Sequence, residues 1–298
     1  TWITAGLQSE FSTFLPIGSR NVKAMRTLTE GGSDIQAIFK SYSPGAQTNR
    51  DNWMYDFNKE RLEVKAKSII ETYNAELSRW IRAGAPKNID DFVIYDDTKI
   101  KWCSRLKECF SRKMETHFRD NAVHHALYRP YTHQFLYFDN IMTHRPGMFS
   151  RAFPTPKAEL ENIVIGVSGV SADHLTFLAA NSIVDVKCGI NGNSTTQCFP
   201  FYIYSEDGNN RRENITDWAL KQFQEKYGPD VTKWDIFYYV YGMLHHPQYR
   251  ELYKENLKRD LPHIPLLLNQ EGFEACVSVG KQLMDICLLY TSPSPRDR

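Results

Sequence analysis

The 298-residue sequence predicts an α+β fold, in which a small mixed β-sheet is flanked by a long N-terminal helix and a C-terminal helical subdomain. Three observations lead to this prediction. An apolar stripe at helical spacing follows Asn58, and short runs rich in Val, Ile, Phe and Tyr fill the middle of the chain. Helical spacing then returns from Asn214 to about Cys287. Helix, sheet and helices in separate blocks are typical of the α+β class.

The N-terminal part contains the strongest helical signal. Residues 1–47 read as irregular connections, with one short strand expected at residues 35–40. Asn58 is placed to cap a long helix, and Gly84-Ala-Pro86 is placed to end it. Apolar residues three or four apart form one stripe between these two points: Leu62, Ala66, Ile69, Tyr73, Leu77 and Trp80.

The remaining elements follow in chain order. Residues 92–95 predict a short strand, and residues 101–113 predict a second helix from the spacing of Trp102, Leu106 and Phe110. β-branched and aromatic runs bounded by Gly, Asn, Asp and Pro predict the strands of the central sheet. These runs are residues 134–138, 163–168, 183–186 and 198–204.

Composition excludes several classes of protein. The 36 Lys and Arg residues against 35 Asp and Glu residues leave a net charge of +1, so no partner is recognised by bulk charge. No apolar run reaches the length of a membrane span. The six cysteines lack the spacing of a zinc site, and residues 1–10 do not resemble an export signal. We therefore expect reduced thiols and a cytoplasmic location.

Motifs for catalysis are incomplete. The sequence has neither a phosphate-binding G-x-x-x-x-G-K-[ST] loop nor a dinucleotide-binding G-x-G-x-x-G loop. A turn at Gly166-Val-Ser168 resembles a nucleophile elbow, but Val170 replaces its second glycine. A small hydrolase that uses Ser168 and His174 remains an alternative. No residue is otherwise predicted to be catalytic or to bind a metal.

Seven segments together resemble a known family, the C-terminal specificity region of Type ISP restriction–modification enzymes. These are single-polypeptide enzymes similar to Type I, and the resemblance spans about residues 1–287. The segments are TNRDNWMYDF (48–57), LYRPYTHQFLYFD (127–139), NIVIGVSG (162–169), TQCFP (196–200), NITD (214–217), DIFYYVYGMLHHPQYR (235–250) and LKRDLPHIP (257–265).

The resemblance implies a piece of a larger polypeptide. Intact members of the family carry a nuclease, an ATP-driven translocase and an adenine-N6 methyltransferase ahead of a target recognition domain. S-adenosylmethionine, ATP and Mg²⁺ would belong to those missing parts, and this chain would have no cofactor of its own. Residues 1–57 would be the exit from the methyltransferase, and residues 58–287 would recognise double-stranded DNA. Residues 288–298 resemble translated sequencing-adapter sequence and are excluded from the predicted fold.

A recognition domain needs positively charged side chains to contact the DNA phosphates. Residues 101–151 are the most basic window of the sequence, with nine Lys and Arg against four Asp and Glu. A solvated helix face would have the same composition, and Arg129 could equally be a structural arginine stacked on Tyr128. The candidates for phosphate contact are Lys101, Arg105, Arg112, Arg129 and Arg145.

Base contacts are expected from the polar segment at residues 187–197, which joins two predicted strands. Asn and Gln side chains pair bidentately with adenine, and Ser and Thr hydroxyls bond to any base. The alternative is a plain connection, since turns use the same residue types. A third interpretation of the whole chain is a helical scaffold that binds another protein. The candidates for base contact are Asn191, Asn193, Thr195 and Gln197.

Overall fold

The computed structural model describes residues 6–19, 35–168, 175–189, 195–205 and 207–291. Its strands are β1 Leu15–Pro16, β2 Ser43–Pro44, β3 Tyr55–Asp56, β4 Val123–Arg129, β5 Thr132–Tyr137, β6 Val164–Ser168, β7 Phe177–Ala180, β8 Ile183–Val184, β9 Thr196–Pro200, β10 Tyr202–Ile203, β11 Arg212–Glu213 and β12 His263–Ile264. Two four-stranded sheets lie at the centre. The first has the order β3-β5-β4-β8, and the second has the order β2-β9-β6-β7. Two further pairs, β1-β12 and β10-β11, lie outside these sheets.

Helices lie on both sides of the sheets, and the long N-terminal helix and the C-terminal helices are in the predicted order. Two short helices, Phe149–Ala152 and Pro156–Glu161, also lie between strands. The long helix α2 begins after Asn58, whose Oδ1 accepts a hydrogen bond of 2.8 Å from the backbone N–H of Arg61. All six stripe residues of this helix are buried, which confirms the prediction. The helices are α1 Asp51–Met54, α2 Lys59–Arg82, α3 Ser104–Ser111, α4 Phe149–Ala152, α5 Pro156–Glu161, α6 Asp217–Tyr227, α7 Lys233–His245, α8 Pro247–Leu252, α9 Lys254–Leu257 and α10 Gln270–Thr291.

The second sheet is buried on both faces between two apolar cores. Val164 on β6 joins a core formed with α2, α3 and the first sheet. The next residue, Ile165, joins a second core that includes side chains of α6, α7 and α10. Because successive side chains of a strand point to opposite faces, β6 contributes Val164 to one core and Ile165 to the other, and all five of its residues are buried.

Helices α7 and α10 touch backbone to backbone. A Cβ atom added at Gly242 would lie 2.5 Å from the carbonyl oxygen of Cys276, and one added at Gly280 would overlap the carbonyl oxygen of Tyr238. Glycine is therefore required at this crossing, since any side chain would force the helices apart.

Some predicted elements are wrong in type or extent. Residues 35–40 form only an isolated bridge at Phe39, and residues 92–95 form no strand. Helix α3 is shorter than the predicted 101–113, because Cys103 is extended. Strand β4 was missed, since it alternates less clearly and contains His124 and His125. Its polar side chains find partners, such as the 2.7 Å contact between His124 Nδ1 and Glu159.

The two ends of the chain are part of the packing. Strands β1, β2 and β3, all within residues 1–57, pair with β12, β9 and β5. A methyltransferase ahead of them stays a prediction. At the other end, α10 continues four residues past Cys287, and Leu288 packs against the second core. The rest of the predicted adapter-like segment, residues 292–298, lies outside the described residues.

Candidate nucleic-acid interface

The candidate base-contacting segment joins the two sheets at residues 187–197. Its first stem leaves β8 at the edge of the first sheet, and its second stem enters β9 of the second sheet. The backbone N–H of Ala46 donates to Val184 and that of Val186 donates to Ala46, both at 2.8 Å. Gly45 donates to Thr196 at 2.9 Å. Residues 43–47, here called the pinning segment, therefore hold both stems.

Glycine is needed in the pinning segment because the chains approach so closely. A Cβ atom at Gly45 would lie 2.7 Å from the carbonyl oxygen of Asp185. The two stems also bond to each other, since the N–H of Thr196 donates to the carbonyl of Val186 at 2.8 Å. Backbone hydrogen bonds therefore join the two stems to each other and to the pinning segment.

The carboxylate of Asp185 lies at the beginning of the segment and is buried, with 2% of the residue exposed. Its Oδ1 accepts hydrogen bonds of 2.8 Å from Arg129 Nη1 and from the backbone N–H of Lys187. Its Oδ2 accepts from the hydroxyl of Tyr55 at 3.1 Å. Burial outweighs these donors and raises the pKa of Asp185 to about 6.

Arg129 is held in place by more than this ion pair. Its guanidinium carbon lies 3.8 Å from the centre of the Tyr128 ring, and a second carboxylate, Asp51, lies 3.8 Å from Nη2. The hydroxyl of Tyr128 donates to Asp51 at 3.2 Å. This is the stacked arrangement that the sequence left open as an alternative to phosphate contact, although 37% of the Arg129 side chain is exposed.

A cleft of about 620 Å³ adjoins this network. Three cations and three carboxylates line it, so it has no large net charge. Three amide side chains also line it, two of them inside the TNRDNWMYDF motif, and none of them was predicted as a site residue. The polar lining residues include Arg50, Lys101, Lys187, Asp51, Asp97, Asp185, Gln47, Asn49 and Asn52.

Arg50 forms part of the cleft wall while being almost fully buried. Its guanidinium donates to the carbonyls of Met142 and Lys101, the latter at 3.3 Å, and to the sulfur of Cys103 at 2.9 Å. Burial lowers the pKa of Arg50. These contacts hold residues 101–103 in an extended path, which is why α3 begins later than its apolar spacing predicts.

The remaining phosphate candidates fall into two groups. Lys101 and Arg145 are exposed, and neither forms an ion pair with a carboxylate of the described residues. The backbone of Arg145 pairs with Gln47 through two hydrogen bonds of 2.9 Å, which places it beside the pinning segment. Arg105 and Arg112 instead share Glu108, at 3.2 and 2.7 Å. The predicted stripe therefore breaks up, because Lys101 precedes the helix.

Of the base-contact candidates, Thr195 is exposed and Gln197 is buried. Gln197 lies on β9 opposite Pro44, and its Nε2 donates to the Thr195 hydroxyl at 2.9 Å. Its Oε1 is buried without a hydrogen-bond partner among the described residues. Asn191 and Asn193 lie outside the described residues.

Ser168, the nucleophile of the alternative hydrolase prediction, has a structural hydrogen bond. Ser168 is 5% exposed, and its Oγ accepts a hydrogen bond of 3.0 Å from the backbone N–H of Thr176 across the β6-β7 pair. His174 lies outside the described residues. Within the part of the chain that the structure describes, no three His, Cys, Asp or Glu side chains cluster as a metal site, and no helix is long and apolar enough to cross a membrane.

This fold, with a polar segment carried between two sheets, is that of a specificity domain. The chain belongs to the Type ISP C-terminal specificity domain family, whose model matches residues 37–298. The resemblance seen in the sequence and the predicted mixed α and β architecture are thereby confirmed.

Solved structures agree with this assignment. The DrdV–DNA complex, determined by cryoEM, has a TM-score of 0.80 and 28% identity over 98% of this chain and 27% of that chain. A nuclease-deletion mutant of the Type ISP restriction–modification enzyme LlaGI, in complex with a DNA substrate mimic, has a TM-score of 0.76 and 27% identity over 97% of this chain and 24% of that chain.

A third structure shows the shared fold at lower identity. The ATP-dependent Type ISP enzyme LlaBIII bound to DNA has a TM-score of 0.77 and 24% identity over 97% of this chain and 17% of that chain. This chain therefore spans 17% to 27% of the length of the three solved chains. No curated protein matches it.

Proposed function

We propose that this chain recognises a specific sequence in double-stranded DNA, as the specificity part of a larger Type ISP restriction–modification enzyme. The observation that carries the proposal is the family match over residues 37–298. Two similar structures, those of DrdV and LlaGI, hold DNA or a DNA substrate mimic. The polar segment at residues 187–197 supports the same function, because a rigid sheet that carries a polar loop is a common way to present contact residues.

Two different sets of side chains contact the DNA backbone and the base edges. Lys101 and Arg145 contact the DNA backbone, since both are exposed without a carboxylate partner among the described residues. Base edges are contacted from residues 187–197, with Asn191, Asn193 and Thr195 as the first candidates. Arg105 and Arg112 contribute less, because Glu108 already neutralises part of their charge.

The proposed parent polypeptide supplies the chemistry. Its methyltransferase would use S-adenosylmethionine, and its translocase and nuclease would use ATP and Mg²⁺ in the cytoplasm. This chain alone would neither transfer a methyl group nor hydrolyse ATP. Purified chain incubated with duplex DNA and the methyl donor should therefore give DNA without added methyl groups.

Selection from a duplex library with a randomised centre tests the proposed function. The purified chain should enrich one sequence motif, and its affinity for the enriched duplex should fall steeply with salt. Enrichment without a motif would show binding without recognition. No binding to duplex DNA at low salt would reject the proposal.

A further inference from the structure

We infer that the ion pair between the buried Asp185 and the half-buried Arg129 positions the start of the base-contacting segment, and so sets base discrimination without touching DNA. The inference rests on the proposed function and concerns how the same site achieves its specificity.

Asp185 lies two residues before the first residue of the segment at 187–197. Its Oδ1 accepts a hydrogen bond of 2.8 Å from the N–H of that first residue, Lys187. Its own N–H donates to the carbonyl of Leu127 on β4 at 3.0 Å. Rotation of this side chain would therefore free the N–H of Lys187, while the backbone hydrogen bond of Asp185 to the first sheet remained.

Two side chains from the first sheet hold the carboxylate of Asp185. Arg129 on β4 and Tyr55 on β3 donate to different oxygens of Asp185, at 2.8 and 3.1 Å. The planar guanidinium is itself fixed by stacking on Tyr128. A carboxylate bonded on both oxygens has one orientation, so the backbone that it grips also has one orientation.

An ion pair with a buried carboxylate contributes little to stability, because desolvation offsets much of its attraction. Here burial dominates over the donors, and Asp51 lies close enough to add repulsion. The charged form of Asp185 therefore lowers the stability of the fold. A destabilising charge at the start of the segment is consistent with a positioning role, since its hydrogen bonds fix one geometry of the backbone there.

Direct contact of Arg129 with a DNA phosphate is the competing explanation, and the two differ in measurable ways. Loss of a phosphate contact weakens binding to all sequences alike and flattens the salt slope by about one. Loss of positioning lowers affinity for the enriched duplex, leaves affinity for a scrambled duplex unchanged and leaves the salt slope unchanged.

The experiment measures the ratio of affinities for the enriched and scrambled duplexes, at several salt concentrations, in the full chain. The variants are Asp185→Asn, Arg129→Gln and Arg129→Lys. The matched control is Asp139→Asn, because Asp139 is also buried, pairs with Arg119 at 2.8 Å and accepts from the N–H two residues ahead. It has no contact with residues 185–197 among the described interactions.

We expect Asp185→Asn and Arg129→Gln to lower the ratio roughly tenfold or more, the size of one lost base contact, with an unchanged salt slope. Arg129→Lys should lower the ratio less than Arg129→Gln does, since lysine keeps the positive charge but lacks the planar, paired N–H donors of the guanidinium. The Asp139→Asn control should keep the wild-type ratio. An unchanged ratio in Asp185→Asn, an equal fall in the control, or a flattened slope in Arg129→Gln would overturn the inference.

A pH series on the unaltered chain tests the same inference without any substitution. Besides Arg129 and Asp51, the ionisable groups facing Asp185 are Tyr55, Tyr128, Cys188 and Cys198, whose pKa values burial raises. As the pH falls from about 8 to about 5, Asp185 takes up a proton and loses the charge that pairs with Arg129. The affinity ratio should fall over the same range. A constant ratio would contradict positioning by the ion pair. If the unaltered chain enriches no motif, the proposed function fails, and the inference fails with it.

Discussion

Replacement of Asp185 by Asn should stabilise the domain at neutral pH and leave its stability unchanged in acid. The carboxyl has a pKa of about 6 in the folded chain, against a reference value of 3.8. A difference of about two units corresponds to roughly 3 kcal/mol between its charged and neutral forms. Because Asp185 is only 2% exposed, solvent screening does not reduce this figure much.

The sign follows from proton binding. Between about pH 4 and about pH 6 the folded chain binds a proton at Asp185 that the unfolded chain does not bind. The folded state is thus favoured below the unfolded pKa, and this advantage is lost as the pH rises through the folded pKa. Asp185→Asn should therefore gain up to about 3 kcal/mol over the unaltered chain above pH 6, and nothing below about pH 4.

Urea unfolding followed by circular dichroism at a series of pH values measures this difference. Asp56→Asn is a control of opposite sign. Burial alone would raise the pKa of Asp56, but hydrogen bonds from Asn58, Lys65 and Arg61 lower it to about 2. That variant should lose stability at neutral pH, and the loss should fade in acid. A difference for Asp185→Asn that does not change with pH would refute the reasoning, as would a loss of stability above pH 6.

Three further outcomes are expected. Gly280→Ala should cost about 3 kcal/mol or more, because the added methyl overlaps the facing helix, whereas Gly272→Ala near the start of α10 should cost far less; urea midpoints compare them. Lys101→Ala should flatten the salt slope of DNA binding by about one, and Arg112→Ala, already paired with Glu108, should flatten it less. Asn58→Ala should lower the free energy of unfolding by about 1 kcal/mol through loss of the α2 cap, with an unchanged salt slope.

Local signals in the sequence were enough to predict the long helix. Asn58, the apolar stripe and the Gly-Ala-Pro stop all act within one segment, and α2 begins and ends where they indicate. Strand β4 shows the opposite case. Its partly buried histidines and Tyr128 do not alternate cleanly, and the strand exists because β5 and β8 pair with it from both sides.

The candidate site was predictable only in outline. The basic window contains Lys101 and Arg145, which the structure shows to be exposed; their contact with DNA phosphates stays a prediction. The partner of Arg129 is 56 positions away at Asp185, and no spacing rule connects them. Burial of Gln197 follows from the pairing of β9 with β2, a contact between distant segments that a single sequence does not reveal.

Hydrogen–deuterium exchange on the full chain, with and without the enriched duplex, tests the central claim most directly. The account predicts that the enriched duplex slows exchange in residues 185–197 and around Lys101 and Arg145, and that a scrambled duplex slows exchange less in residues 185–197. Protection confined to the C-terminal helices α6–α10, or equal protection by both duplexes, would contradict sequence recognition by this face of the domain.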